Sequence, residues 1–280
     1  MLIQEENRLN LTPRYRTGKL LRRYWTLFKV SFQERMEYRW NVLIYVLFVM
    51  IPVLIGVYLW GVVFNRNNDP QIMQYITTYY IVAAFVGWRI AQYHWNFSND
   101  IREGRMATQL LRPMSYPAKT FWYEVGGRTW STIITLPVFV VVALAMGNNF
   151  RVPANPLTWL LVILSFMLAY LMSFFLTGAL GLVTVWQNQP EGFFVLYSIG
   201  AQWLGGTFLP LSLMPGGIGE WLQWLPFAYI YNMPVRIFLE TPGYNIWQGF
   251  AVQLVWVILA GLFFNWLWRK AIHRYEVFEG

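Results

Sequence analysis

Residues 41–64 read NVLIYVLFVMIPVLIGVYLWGVVF, 24 positions without one ionised side chain. A hydrocarbon core of ~30 Å takes about 20 apolar residues as a helix, so this stretch alone suffices to cross a bilayer. Two longer uncharged runs follow, the 39 residues from Val152 to Pro190 and the 28 from Thr241 to Trp268. A water-soluble fold does not need runs of this length. The chain reads as an all-α integral membrane protein, which directs the search for function to transport, membrane-embedded chemistry or anchoring.

Composition agrees. Charged residues make up 12% of the chain, about half the share usual in soluble domains, which is roughly 25%. Trp60, Trp95, Trp122, Trp159, Trp266 and Trp268 fall near the ends of apolar runs, where amphipathic rings favour the headgroup boundary. The absence of cysteine excludes disulfides and thiolate metal sites, and two histidines leave little material for a metal or haem centre. The first 40 residues are polar and basic, so no cleavable signal peptide is expected ahead of the first span.

Six crossings are predicted: about Asn41–Phe64, Ile72–Trp95, Phe121–Gly147, Leu157–Trp186, Phe193–Leu213 and Ile246–Trp268. Pro52 and Pro137 fall inside spans, where neighbouring helices can re-satisfy the freed carbonyls. Seventeen of the 21 Lys and Arg lie before span one, in or just after the 96–120 loop, or in the tail; only Arg66, Arg151 and Arg236 lie on the other side. The excess of cations marks the cytoplasmic face and places both termini there. The net charge of +8 is thus membrane orientation and not a nucleic-acid footprint. The organisation expected is a cytoplasmic segment 1–40, a six-span domain 41–270 and a cytoplasmic tail 271–280.

Before span one, Leu21, Trp25, Phe28, Phe32 and Met36 recur at helical spacing among Arg22, Arg23, Lys29, Arg35 and Arg39. Gly18–Trp40 is therefore expected to be a basic amphipathic helix, lying in the headgroup plane or packed on protein.

No catalytic constellation emerges. His94 and His273 are far apart in sequence and lack a nearby nucleophile or metal partner, so a structural role is expected of each. No G-x-x-x-x-G-K-[ST] phosphate loop exists, and Gly126-Gly127-Arg128-Thr129 is too short to be one. No catalytic, cofactor or metal residue is assigned to this chain, and any ATP-driven engine must be another subunit. Glu124 and Arg128, four apart, are expected to pair on one helix face. Arg89 lies six residues, ~9 Å, before the expected end of span two, where it either snorkels, pairs structurally or lines a polar pathway. Gln202 and Trp203 sit in span five between Gly200 and Gly205. An amide in hydrocarbon needs a partner, either on a second chain at a dimer axis or on a neighbouring helix of its own chain.

Two stretches are more distinctive. In the loop after span two, Asp100-Ile101-Arg102-Glu103-Gly104-Arg105 runs on to Leu110-Leu111-Arg112-Pro113, combining a possible Asp100 cap, mixed charge and exposed leucines before a proline. Such a helix can dock into a partner, whereas a solvated connection is the bland alternative. Between spans five and six, residues 205–227 are too apolar for an aqueous loop and too broken by Gly and Pro to cross. A short re-entrant or interfacial helix near Ile218–Leu225 is expected there, with Trp221 and Trp224 on one face.

These stretches carry a resemblance. The pattern Ile101-x-x-Gly104-x-Met106 with Leu110-Leu111-Arg112-Pro113, and the later Gly206-x-Phe208-x-Pro210-Leu211-x-x-Met214-Pro215 followed by Leu225-Pro226-Phe227, are similar to those of permease subunits of type-2 ABC exporters. The likeness extends over about residues 20–275. It implies six spans with an amphipathic connecting helix, and pairing with a second permease chain as homo- or heterodimer. It also implies a separate nucleotide-binding ABC ATPase subunit that holds ATP and Mg, and export of an amphiphilic or polymeric substrate. Residues 100–113 would be the coupling helix, 214–240 the re-entrant helices, and spans one, two and five would approach the dimer axis. A secondary transporter or channel is the alternative, opposed by the lack of intramembrane Asp or Glu. A lipid-acting enzyme is the third reading, opposed by the missing catalytic cluster.

Overall fold

The computed structural model describes residues 13–64, 70–90, 93–112 and 114–279, and the described residues contain helices and no strand. In chain order the helices are α1 (Pro13–Glu37), α2 (Arg39–Phe64), α3 (Pro70–Arg89), α4 (His94–Arg102), α5 (Arg105–Leu110) and α6 (Tyr116–Ala145). They continue with α7 (Pro156–Leu182), α8 (Glu191–Leu204), α9 (Ile218–Leu222), α10 (Pro226–Phe238) and α11 (Ile246–Glu279). Helix starts follow local chemistry. At α7 the Asn155 side chain accepts from the Leu157 N–H at 2.9 Å and Pro156 takes the first position, where its missing N–H costs nothing.

Four segments are long and apolar enough to cross a membrane: Arg39–Val63, Tyr116–Ala145, Pro156–Val185 and Ile246–Tyr275. They correspond to the predicted spans one, three, four and six. The predicted spans two and five differ. Span two stops at Arg89, not Trp95, and its continuation is the separate α4. The break has a visible cause at Tyr93, whose backbone N–H donates to Thr177 Oγ1 (3.2 Å) and whose hydroxyl donates to Tyr170 (2.7 Å), both on α7. Span five is helical only over the 14 residues of α8, a rise of ~21 Å that falls short of a bilayer core by itself.

The chain divides into two compact units, one from 1–43 with 106–135, the other from 44–105 with 136–280. In the first, α1 packs on the start of α6. Gly126 makes this possible, because a Cβ there would lie 2.3 Å from the Phe28 carbonyl oxygen. Phe32 meets Trp130 edge-on, Tyr24 stacks on Trp122, and Glu34 accepts from the Tyr123 hydroxyl. Glu124 lies 3.9 Å from Arg35 and 4.0 Å from Arg128, so the expected i,i+4 pair is shared with α1. Of the predicted apolar stripe, Phe28 and Phe32 are half-buried while Leu21, Trp25 and Met36 are exposed.

In the second unit α7 is the central post, with α4, α10 and α11 packed against it. Helix α10 is buried from Ala228 through Val235. The fully buried Gln253 of α11 donates through Nε2 to Ser165 O on α7 (3.0 Å) and Tyr229 O on α10 (2.9 Å). One amide NH2 thereby ties three helices, with both of its N–H donors satisfied by buried carbonyls. The predicted short helix near Ile218–Leu225 is α9, ending at Leu222. Trp224 lies beyond it, so Trp221 and Trp224 share no helix face, and Trp224 O accepts from Trp256 Nε1 at 3.0 Å.

Candidate coupling segment and pathway residues

Asp100, Ile101 and Arg102 form the last turn of α4, so Asp100 is not an N-cap. Glu103 and Gly104 make the turn into α5. The Glu103 N–H donates to Asn99 O and the Gly104 N–H to Ile101 O, and Gly104 takes φ +66°, which favours glycine at that place in the motif. The charges around this turn satisfy one another. Arg105 Nε donates to Asp100 Oδ1 at 2.8 Å and its Nη1 pairs with Glu103. Beyond the turn Met106 is buried and Leu110 half-buried. Leu111 is 87% exposed, the largest exposure of any large hydrophobic described. Arg112 is exposed as well, and Pro113 lies outside the described residues.

Arg102 faces the other way along the chain. Its Nη1 lies 2.6 Å from Glu191 Oε1, and its Nη2 donates to Asn188 O. Glu191 is the first residue of α8, where helix-end N–H groups favour an anion. Its own backbone N–H and then Arg102 hold its carboxyl below the ordinary value of 4.5. The residue after span two is therefore fastened to the head of α8. Neither Asn188 nor Glu191 stood out in sequence, because one acid ahead of an apolar run has no periodicity to mark it.

The residues assigned to the pathway occupy different levels. Arg89 ends α3, buried rather than reaching a helix end six residues away, with its guanidinium 5.0 Å from the Trp88 ring and 5.6 Å from that of Phe85. Gln202 and Trp203 lie in the last turn of α8. Gln202 Nε2 donates to Ser198 O of its own helix at 3.0 Å, while Trp203 is exposed and meets Phe208 at 5.1 Å. Gly205, just past α8, is packed within the chain, and a Cβ there would lie 2.4 Å from the Tyr231 ring. The open space is at Gly200, where an added Cβ meets nothing within 4 Å.

Three tyrosines of α3, absent from the sequence-derived set, hold the stretch after α8. Tyr79 donates its hydroxyl to Gly206 O (2.5 Å), with Asn232 Oδ1 3.3 Å from the same oxygen, Tyr80 donates to Phe208 O (2.5 Å), and the Tyr75 hydroxyl meets Ser212 Oγ at 3.1 Å. Gly206 adopts φ +82° with Tyr79 and Leu211 against it. The available signal was Tyr75-x-x-x-Tyr79-Tyr80, polar tips at helical spacing in an otherwise apolar run. Arg89 lies ten residues, ~15 Å, further along the same helix.

His94 is buried against Phe194 and Trp95, at ring separations of 4.6 and 5.6 Å. Among the described residues no three His, Asp or Glu side chains sit together as a metal site would require. No curated protein matches the sequence. Residues 42–278 match the family described as ABC-2 family transporter protein. That match takes in the α4–α5 turn, the tyrosine-held stretch and every long apolar helix. The chain belongs to the ABC-2 transporter family and is a multi-pass membrane permease of an ABC transporter, a transport component whose family works with an ATPase subunit and has no ATPase site of its own.

Proposed function

We propose that the chain is the transmembrane subunit of an ATP-driven exporter, joined by a second permease chain and by separate ATPase subunits that bind ATP and Mg. The observation that carries this reading is Leu111, exposed beyond a turn whose charges are mutually paired. A leucine left in water costs about 25 cal/mol per Å² of apolar surface, and docking into a groove of the ATPase recovers it. Closure of the ATPases on nucleotide pushes the 100–113 segment, and the Arg102–Glu191 link passes the displacement to α8. Few charges line the proposed route, which suits an amphiphilic or polymeric substrate moved out of the cytoplasm.

In this reading α2, α3, α6, α7, α8 and α11 are the six crossings, and α9 and α10 are re-entrant from the outer side. Both termini are cytoplasmic, at the bacterial inner membrane. The short α8 completes its crossing through residues 205–213. Irregular backbone at that depth is tolerable where protein encloses it, and the hydroxyls of Tyr75, Tyr79 and Tyr80 supply such an enclosure.

Leu111→Asp is expected to weaken the ATPase–permease association by about 1 kcal/mol, roughly fivefold in affinity. Co-purification and substrate-stimulated ATP hydrolysis report the loss. Unchanged assembly with unchanged stimulation would remove the coupling assignment. Membrane sidedness has a separate test, since the chain lacks cysteine. Single cysteines at Asn148 and Asn245 should react with an impermeant maleimide on intact cells, and those at Asn99 and Gln187 only after permeabilisation. All four positions are exposed, whereas the neighbouring Ser98 is buried and would not react from either side. Labelling of Asn99 from outside would overturn the topology.

A further inference from the structure

The turn after α9, helix α10, the Gly243–Asn245 loop and the first turn of α11 frame a cavity of about 280 Å³, lined by Gln223, Tyr229, Asn232, Arg236, Tyr244 and Gln248 among others. No Asp or Glu lines it. Its charge is the guanidinium of Arg236, stacked 4.1 Å from the Tyr244 ring centroid, with Nη1 donating to Gln223 Oε1 at 3.3 Å. Arg236 forms no ion pair among the described residues, and an amide takes one of its five N–H donors. Tyr244 is held in place because Gly249 has no Cβ; one there would lie 2.3 Å from the Tyr244 hydroxyl. Asn232 also lines the cavity, with its Oδ1 3.3 Å from the Tyr79 hydroxyl and its NH2 group as a donor.

A half-buried guanidinium without a counter-charge is unfavourable, and it is matched best by a planar or tetrahedral oxyanion that takes its forked donors. Aromatic faces and amides around such a cation are the furnishings of a polar-ligand site, and the volume lies just below the ~300 Å³ at which small-molecule sites begin. Its size suits a headgroup- or monosaccharide-sized body. We infer that this cavity binds a polar ligand carrying a phosphate or carboxylate group. The oxyanion sits on Arg236, and the remainder lies against Tyr229, Tyr244 and the amide of Asn232. The inference is independent of the ATPase coupling proposed above. The oxyanion has two possible sources, the headgroup of an anionic phospholipid and a soluble phosphate or sugar acid.

A single cysteine at Gln248, exposed on the cavity rim, reports occupancy through its rate of reaction with a neutral maleimide. The chain is compared in phosphatidylcholine nanodiscs, in phosphatidylglycerol nanodiscs, and in phosphatidylcholine with millimolar inorganic phosphate or glucuronate. Occupancy of two-thirds slows the reaction about threefold. Slowing by phosphatidylglycerol alone assigns a lipid headgroup, and slowing by phosphate or glucuronate assigns a soluble ligand. In either case Arg236→Gln should abolish protection. So should Gln223→Glu, which supplies Arg236 with an internal carboxylate. A cysteine at Trp247, exposed on the same turn but outside the lining, should react at one rate throughout. No slowing in any arm, slowing that survives Gln223→Glu, or equal slowing at position 247 overturns the inference. Gln223→Glu alone decides it if Arg236→Gln does not fold.

Discussion

Gly205→Val is expected to destabilise the isolated chain by about 3 kcal/mol, near the upper end for overpacking a tight site. The added Cβ would lie 2.4 Å from Tyr231 Cδ2, 2.6 Å from Ala201 O and 2.9 Å from Phe227 O, and two of these three are backbone atoms that cannot swing away. Gly200→Val, five residues earlier, meets no neighbour within 4 Å and should change stability by less than ~1 kcal/mol. Thermal unfolding in detergent separates the two, and equal losses would refute the packing. The same pair divides two meanings of a glycine in span five. Gly205 spends its missing side chain on α10 of its own chain. Gly200 has open space around it, and if the proposed pairing runs along α8, Gly200→Val should weaken permease–permease association while the fold survives.

Reversing either end of the link between α4 and α8 should cut transport on the order of tenfold, within the roughly 5–150-fold span of typical inter-site couplings. Arg102→Glu and Glu191→Arg each place like charges where a 2.6 Å contact now stands. The double swap restores opposite charges and should recover most of the activity. Co-purified ATPase should stay constant in Glu191→Arg, because Glu191 lies outside the docking segment 100–113. Loss of ATPase binding in Glu191→Arg, or a swap no better than its parents, would count against transmission through this contact. Since the Glu191 carboxyl is held low, the link is complete above its ordinary pKa of 4.5 and is lost only as pH falls through the lower folded value.

The long apolar helices were legible because length without charge has few other uses. Asn41–Phe64 became Arg39–Phe64, and Leu157–Trp186 became Pro156–Leu182 with a tight turn behind it. The predicted ends of spans two and five, Trp95 and Leu213, differ from the observed Arg89 and Leu204 for a shared reason. Where a helix stops inside an apolar run is set by tertiary capture, at Tyr93 by Thr177 and Tyr170, and after α8 by the tyrosines of α3. Composition does not record those partners. Helix α10 lies within the 214–240 stretch for which the resemblance implied helices, while the residues alone gave only the short helix near Ile218–Leu225; Pro226 takes a helix-starting position where it does no harm. The mixed charge of residues 100–105 was legible, but a single helix capped at Asp100 was expected there, and the turn at Glu103-Gly104 that parts α4 from α5 was not anticipated. Nor was the destination of Arg102, some ninety residues further along.

The tyrosines of α3 take hold of carbonyl oxygens at Gly206 and Phe208, atoms that every amino acid presents alike. Anchorage of this kind is blind to side-chain identity. Positions such as 208 and 209 can drift through evolution, or be randomised in a library, and the strand of backbone stays where it is. Gly206 is the exception, fixed by its own dihedral. A fold built this way can retool the surface it shows without reopening the question of how it holds together.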